Sequence, residues 1–399
     1  MLSTRMLFIK SISAGALLFA ALSVSSAEPI VVDTSQALGS IEYDEPLVRD
    51  VACFDADGDC YLVMTGSLSQ DSTEKNYLSL WKTSGDSSAE KLAALPVGDD
   101  FFRLVSHASG NWLSLYVETV KALPSVYIFN KSDKTFINVS ESVGRHGSLD
   151  TLRGAKVASN GALTLLYDTP AGCCDIHVMD IKSGKIVGQE KLDFVAGQQI
   201  EPLDFAVVQN GYALAGALSD TPEKIGAVSI SGKKGNELTT MQGKERYYFS
   251  VVAAGEYLYA VGNSLEFGGG VLSAFLSKEG ESPELVAEKF SKSAGSRTLS
   301  FGHLCAGFSH ETFTDQNSKP YQEFELVVAP TLDQGSKTGS SDYKIATSGP
   351  LAFTSVFPYV QRNQLFIVIN AQEFDEVTRG FNNRIYQKEV AKFALCAND

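Results

Sequence analysis

A pair of apolar runs joined by a tight polar turn recurs along this chain, and this repeat constrains the fold more than any other feature. Turn dipeptides such as Asn160-Gly161 and Asn210-Gly211 separate the two runs of a pair, and such dipeptides are typical of β-hairpins. Third and fourth apolar runs follow in most units, so the sequence predicts an all-β protein. The first runs begin roughly fifty residues apart and cover 48–54, 101–107, 151–158, 203–208, 247–254, 298–304 and 351–357.

Four short strands repeated seven times resemble the β-propeller superfamily, and the resemblance extends over residues 28–399. It implies a single seven-bladed β-propeller in which each blade buries two apolar faces against its neighbours. Residues 29–34 form an isolated strand, which we expect to complete the last blade and close the ring. Six blades or two stacked β-domains are the alternatives. Segments 87–95 and 385–395 have partly helical spacing and are interpreted as strands.

Residues 1–27 have the layout of a secretory signal peptide. Arg5 and Lys10 precede a short apolar segment, and Ala27 is a small residue at the expected cleavage site before Glu28. The apolar segment is shorter than the roughly 20 residues that span a bilayer. We therefore expect a secreted or periplasmic protein without a membrane span, and a monomer. Its 33 Lys and Arg residues against 47 Asp and Glu give a net charge of −14, which argues against binding to nucleic acid.

Export favours disulfide bonds among the six cysteines, which are Cys53, Cys60, Cys173, Cys174, Cys305 and Cys396. Proximity in sequence favours a Cys53–Cys60 bridge and a vicinal Cys173–Cys174 bridge, and elimination then leaves Cys305–Cys396. Free thiols and zinc ligation are the alternatives, although the spacing matches no common zinc pattern.

One segment, residues 54–63, resembles the calcium-loop repeat of integrin-type propellers. Its carboxylates Asp55, Asp57 and Asp59 could hold Ca²⁺ if backbone carbonyl groups completed the coordination shell. The motif occurs once, Cys60 replaces a glycine, and no acidic residue precedes the strand. These departures favour an ordinary Asp-Gly hairpin, and we expect no other cofactor.

Arginines recur where the first strands of the units begin. Arg49, Arg103 and Arg153 occupy roughly equivalent positions, and Arg246 and Arg297 lie just before the first strands of their units. In a propeller these strands line the central channel, so the arginines are expected at its mouth. Arginine suits the capture of carboxylate, sulfate or phosphate. The alternative is that the arginines pair with nearby carboxylates, of which Asp50, Asp99, Asp100, Asp150, Asp204 and Glu245 are the candidates.

These observations favour a binding module. No recognised catalytic motif is present, and the fold hosts both binding and catalytic proteins. The predicted function is an exported propeller that binds a protein, an anionic carbohydrate or a small anionic ligand. The alternative is a carbohydrate-active hydrolase or lyase, with Asp150, Asp204, Glu245 and His107 as candidate catalytic groups.

Overall fold

The computed structural model describes most of the chain, and everything below concerns that part. The described residues are 30–32, 46–54, 59–70, 73–83, 89–97, 101–120, 122–169, 174–192, 200–208, 211–218, 226–231, 246–254, 257–264, 269–276, 284–290, 297–301, 305–316, 319–329, 339–347, 351–361, 364–375, 377 and 379–392. Their regular structure is almost entirely β-strand in antiparallel sheets, which confirms the predicted all-β class.

The first three sheets follow one another along the chain, and strands that are consecutive in sequence are neighbours in each sheet. Sheet 1 contains β2 (Leu47–Phe54), β3 (Asp59–Gln70), β4 (Thr73–Thr83) and β5 (Ala89–Val97). Sheet 2 contains β6 (Phe101–Ser109), β7 (Trp112–Thr119), β8 (Ser125–Asn130) and β9 (Thr135–Asn138). Sheet 3 contains β10 (Leu152–Val157), β11 (Ala162–Tyr167), β12 (Asp175–Asp180) and β13 (Lys185–Lys191).

The remaining sheets have the same up-and-down order. Sheet 4 contains β14 (Ile200–Val208), β15 (Gly211–Leu218) and β16 (Gly226–Ser231). Sheet 5 contains β17 (Arg246–Ala254), β18 (Tyr257–Ser264), β19 (Gly269–Leu276) and β20 (Glu284–Phe290). Sheet 6 contains β21 (Arg297–Phe301), β22 (Cys305–Gln316), β23 (Lys319–Ala329), β24 (Gly339–Thr347) and β1 (Ile30–Val32). Sheet 7 contains β25 (Leu351–Gln361), β26 (Gln364–Asp375) and β27 (Gly380–Lys392).

Tight turns set the register of these sheets, as the turn at Gly161 illustrates. Gly161 has a φ of 82°, a left-handed conformation that glycine adopts without steric cost. A Cβ atom at this position would meet the Trp112 ring of sheet 2 at 3.2 Å. The predicted Asn160-Gly161 turn therefore connects β10 to β11 and also allows sheets 2 and 3 to approach closely.

The apolar core lies between neighbouring sheets. Phe54 and Tyr61 of sheet 1 share a cluster with Leu113 and Phe129 of sheet 2. Comparable clusters join sheets 2 and 3, sheets 3 and 4, sheets 4 and 5, and sheets 7 and 1. Each of these sheets thus buries apolar side chains against its neighbours, which is the arrangement that the near-continuous apolar runs predicted. Separate up-and-down sheets packed in this way form a β-propeller fold.

Polar side chains also connect the sheets, and two aspartates do so in a similar way. Asp50 of β2 accepts hydrogen bonds from the Ser106 backbone N–H (3.1 Å) and hydroxyl (2.7 Å) in sheet 2. Asp204 of β14 accepts bonds from the Ser250 hydroxyl (2.8 Å) and the Val251 N–H (3.0 Å) in sheet 5. Because a carboxylate accepts several bonds at once, each aspartate ties its own first strand to that of the next sheet.

The prediction for the N-terminal strand was wrong. β1 pairs in parallel with β24, so it lies at the outer edge of sheet 6 and not in the last sheet. A short apolar strand is stabilised by any open sheet edge, and sheets 6 and 7 are neighbours along the chain, so the strand pattern does not discriminate between them.

Other local predictions have mixed outcomes. Residues 310–316 pair with residues 319–325 in the long hairpin of β22 and β23. The two segments with partly helical spacing are strands, as predicted, because β5 and β27 cover most of them. The described helical structure consists of α1 (Ser140–Gly144) and a 3₁₀ turn (Leu149–Thr151), both between sheets 2 and 3. No helix among the described residues is long and apolar enough to cross a membrane.

Candidate functional site

The first strands of six sheets share a register shift near their beginning, of the kind that a β-bulge produces. The pairing of each first strand with the second strand skips one residue, and these residues are Arg49, Phe102, Arg153, Leu203, Phe249 and Thr354. A bulge bends the strand and redirects side chains, and bulges are frequent next to functional sites. The repeat therefore marks one face of the fold, here named the entry face, where the first strands begin and the second strands end.

The predicted arginines belong to the first strands, but Arg103 is displaced by one residue from the position that Arg49 and Arg153 occupy. Arg49 and Arg153 are the skipped residues of sheets 1 and 3, so their positions are equivalent. Arg103 lies one residue after the skipped position, where sheets 1 and 4 carry Asp50 and Asp204. Arg246 and Arg297 are the first residues of β17 and β21. Arg49 donates from Nε to the Thr65 hydroxyl oxygen at 2.9 Å.

Arg103 contacts two other strands, β7 and β14. Its guanidinium lies 3.4 Å from Glu118 Oε1 on the neighbouring strand β7, and it donates to the Leu203 carbonyl of sheet 4. It also lies over the ring of Tyr116, with 5.8 Å between the guanidinium carbon and the ring centre. Arg103 belongs to sheet 2 and Leu203 to sheet 4, so the guanidinium connects two sheets that sheet 3 separates along the chain.

Arg153, in the first strand of sheet 3, also contacts a carboxylate and a backbone carbonyl. Its guanidinium lies 3.3 Å from Asp168 Oδ2 and donates to the Asp150 carbonyl at 3.4 Å. The Tyr116 hydroxyl connects the two arginines, since it lies 2.6 Å from Glu118 Oε1 and 2.7 Å from the Leu152 carbonyl oxygen, next to Arg153 in sequence. We name the set Arg103, Tyr116, Glu118, Arg153 and Asp168 the arginine cluster.

Tyr116 acts in this cluster as a neutral hydroxyl. Burial and the neighbouring Glu118 carboxylate raise the pKa of Tyr116 far above its ordinary value, and the charges of Arg103 and Arg153 offset only part of this increase. A phenol with such a pKa keeps its proton at neutral pH and can donate it in a hydrogen bond. Tyr116 therefore orients Glu118 and is not suited to act as a base.

A third ion pair is more deeply buried. Lys156 Nζ of β10 lies 2.9 Å from Asp204 Oδ1, and the two side chains are 10% and 6% exposed. Burial raises the pKa of Asp204, but the charge of Lys156 and the hydrogen bond from Val251 more than compensate, so its pKa lies below the ordinary value. Lys156 also lies over the Phe205 ring, 5.2 Å from its centre. This pair joins sheets 3 and 4 beneath the arginine cluster.

Of the carboxylates proposed for the catalytic alternative, the two that the structure describes, Asp150 and Asp204, have other partners. Asp204 is buried and ion-paired, whereas Asp150 is exposed and accepts a hydrogen bond from Ser148. His107 lies half-buried in β6, and Glu245 lies outside the described residues. The carboxylates of the arginine cluster, Glu118 and Asp168, are each paired with an arginine.

The predicted calcium ligands and disulfides are described in part. Asp55 and Asp57 lie outside the described residues, and Asp59 Oδ2 contacts Lys82 at 3.1 Å and Lys131 at 3.3 Å. The calcium site therefore remains a prediction, with one of its three carboxylates engaged by two ammonium groups.

The Cys53–Cys60 bridge is confirmed, and it joins residues that face each other in β2 and β3. Cys174 is also disulfide-bonded, and the described residues include no free cysteine. Cys173 and Cys396 lie outside the described residues, so the other two predicted pairings remain predictions.

Sequence reasoning missed Glu118, Asp168, Tyr116 and Lys156. Glu118 could have been predicted from the sequence, because residues at equal distances from a hairpin turn face each other. Counting from the turn after Ser109 pairs Arg103 with Glu118. The same counting fails for Arg153 and Asp168, because the register shift after Leu152 moves the pairing by one residue. Lys156 contacts a different sheet, and no local pattern indicates such a contact.

Comparisons with known proteins give similarity at the level of the fold. No protein-family model matches the sequence, and no curated protein matches it. Among solved structures, the chain is similar to the β-propeller domain of the Trilobed protease from Pyrococcus furiosus, at 10% identity and a TM-score of 0.44 over 88% of this chain and 97% of that one. It is also similar to a chain of the Mitotic Checkpoint Complex, at 12% identity and a TM-score of 0.47 over 96% and 99%. A third similar structure is the periplasmic gluconolactonase of Pseudomonas aeruginosa, at 11% identity and a TM-score of 0.44 over 76% and 88%.

Proposed function

We propose that this protein is an exported, ligand-binding β-propeller of seven blades that binds an anionic group at the arginine cluster. The observation that carries the proposal is the difference between the cluster and the ion pair beneath it. Arg103–Glu118 and Arg153–Asp168 are single contacts of 3.4 and 3.3 Å between partly exposed side chains, whereas Lys156–Asp204 is a buried contact of 2.9 Å.

This difference decides which carboxylates a ligand can replace. An ion pair that solvent reaches is weaker than one that is shielded from water, because water and salt compete with it. A guanidinium has five N–H donors and binds carboxylate, sulfate or phosphate through two of them at once. An incoming anion would therefore replace the carboxylate partner of Arg103 or Arg153, beside the contacts that these arginines make with the Leu203 and Asp150 carbonyls. Replacing Asp204 as the partner of Lys156 would instead leave a buried carboxylate without its cation, at a cost of several kcal/mol.

The pairing of the carboxylates favours binding over catalysis. A hydrolase of glycosidic bonds uses two carboxyl groups on either side of the scissile bond, and both must be available to protons or substrate. In the arginine cluster, Glu118 and Asp168 are paired with arginines and Tyr116 is a neutral donor. Such a set of groups recognises charge and does not transfer protons.

The architecture and the location are part of the same proposal. Seven sheets are found among the described residues, and the contacts of sheet 7 with sheet 1 support a single ring of seven blades. Asn370 of sheet 7 both donates to and accepts from the backbone of Val48 in sheet 1, at 2.8 and 2.9 Å. The predicted leader and the Cys53–Cys60 disulfide support export to an oxidising compartment.

A thermal-shift series tests the proposal. Sulfate, phosphate, a uronic acid and sialic acid should each be titrated at constant ionic strength, and at least one is expected to raise the melting temperature by mass action. Arg153→Lys keeps the positive charge but removes the planar guanidinium group that binds an anion through two N–H donors. The increase in melting temperature should therefore be much smaller in this variant. The matched control is Lys82→Gln, which removes one positive charge at the end of β4 on the opposite face and should leave the shift unchanged. Equal shifts in all three proteins, or none in the wild type, would contradict the proposal.

A further inference from the structure

Exposed apolar side chains lie beside the arginine cluster. The turn that follows β7 presents Val120, which is 68% exposed, and Leu123, which is 56% exposed. The Thr119 hydroxyl oxygen accepts a hydrogen bond from the Ala122 N–H at 3.1 Å, which closes this turn. We name Val120 and Leu123 the apolar shelf. Isolated exposed aliphatic residues are common on protein surfaces, so the significance of the shelf lies in its position next to the charged cluster.

The register places the shelf close to the cluster. Glu118 faces Arg103 across β6 and β7, and Val120 follows Glu118 by two residues. Two residues of extended chain span no more than about 7 Å. A ligand that places an anionic group on Arg103 therefore comes within reach of Val120 with an apolar group a few residues away.

The chemistry of the shelf distinguishes a peptide from a sugar. Sugars are usually held on exposed aromatic rings, but the exposed large hydrophobic side chains among the described residues are all aliphatic. Trp81 is buried, and the Trp112 ring packs against Gly161. Aliphatic groups next to guanidinium groups instead complement a segment that carries both a carboxylate and a large apolar side chain, as an extended acidic peptide does.

We infer that the arginine cluster and the apolar shelf together bind an extended acidic segment of a protein partner. In this segment an Asp or Glu lies two to four residues from a Leu, Ile or Phe, because an extended chain rises about 3.3 Å per residue and the two subsites are only a few residues apart. The inference rests on the proposed function, since it uses the same arginines. It adds the partner class and a second subsite that a small inorganic anion does not contact.

Peptide binding measured by fluorescence polarisation tests the inference. The probes are labelled Gly/Ser peptides that carry one Glu and one Leu at separations of two, three or four residues. Matched probes replace Glu by Gln or Leu by Ser. The peptides with both groups should bind most tightly, and Leu123→Ser should weaken their binding about fivefold, the loss expected when a half-exposed leucine no longer buries its side chain. The same variant should leave the sulfate-induced thermal shift unchanged.

Val187→Ser is the matched control, because Val187 is 65% exposed on the outer strand β13, away from the entry face. It should not change peptide binding. Equal binding of the Glu/Leu and Glu/Ser peptides, or equal losses in Leu123→Ser and Val187→Ser, would overturn the inference. If sulfate protects the protein but no peptide binds, the inference fails and the proposed function stands. If neither sulfate nor any peptide binds, both fail.

Discussion

The buried ion pair between Lys156 and Asp204 gives the sharpest stability prediction. Lys156→Met removes the cation, keeps a side chain of similar length, and leaves Asp204 as a buried carboxylate without a counter-charge. Breaking a buried pair in this way typically costs about 3 to 5 kcal/mol. Asp204 keeps its hydrogen bonds from Ser250, Val251 and its neighbour Phe205, so we expect the lower end, about 3 kcal/mol.

The measurement is urea denaturation of the wild type and Lys156→Met at several pH values. The pKa of Asp204 is lowered in the folded protein, so the stabilising effect of its charge is present above the unfolded value near 3.8 and is lost as the pH falls below it. The difference in stability between the two proteins should therefore be largest near pH 7 and should shrink as the pH falls through the range in which Asp204 becomes protonated, first in Lys156→Met, where burial is no longer offset by the Lys156 charge.

The control for this prediction is Lys82→Met. Lys82 forms a more exposed pair with Asp59, which retains a second ammonium partner in Lys131, so the loss should be below about 1 kcal/mol. Equal losses in Lys82→Met and Lys156→Met would refute the reasoning, because burial would then not determine the energy of these pairs. A Lys156→Met loss that is independent of pH would refute the assigned role of the Asp204 charge.

Three further predictions concern other parts of the fold. Burial lowers the pKa of His177, so wild-type stability should fall as the pH decreases below about 6.5, and denaturation midpoints at pH 7.5 and 5 should differ less in His177→Gln. Replacing both Cys53 and Cys60 by Ala should cost about 2 kcal/mol, as calorimetry can measure, because the bridge closes a short loop; no loss would mean that the hairpin is fixed without it. Gly161→Ala should lower the melting temperature by an amount that corresponds to about 1 to 2 kcal/mol, because the positive φ and the Trp112 ring both oppose a Cβ atom; an unchanged melting temperature would contradict this.

The repeat predicted the strands well, because each hairpin has a local cause in the sequence. The run 48–54 corresponds to β2 (Leu47–Phe54), and the run 351–357 begins where β25 (Leu351–Gln361) begins. Apolar alternation and turn residues act between neighbours in sequence, so a single sequence shows them. The edge chosen by β1 depends on which of two adjacent sheets offers the better partner, and this is a long-range property.

The candidate site was predicted less completely. The sequence predicted roughly equivalent positions for Arg49, Arg103 and Arg153, and the strand pairing skips Arg49 and Arg153 in the same way. The bulge was not visible in the sequence, and it places Arg103 one residue away from that position. The contact of Arg103 with the Leu203 carbonyl joins residues from sheets 2 and 4, and it follows from the packing of the sheets and not from any local pattern.

The most direct test of anion binding at the arginine cluster is a crystal structure of the protein soaked with selenate, located by its anomalous scattering. The account predicts selenium density within hydrogen-bond distance of the Arg103 or Arg153 guanidinium, with Glu118 or Asp168 displaced from its arginine. Ordered guanidiniums that still contact Glu118 and Asp168, with no selenium density at the cluster under soaking conditions that occupy other sites, would contradict the account.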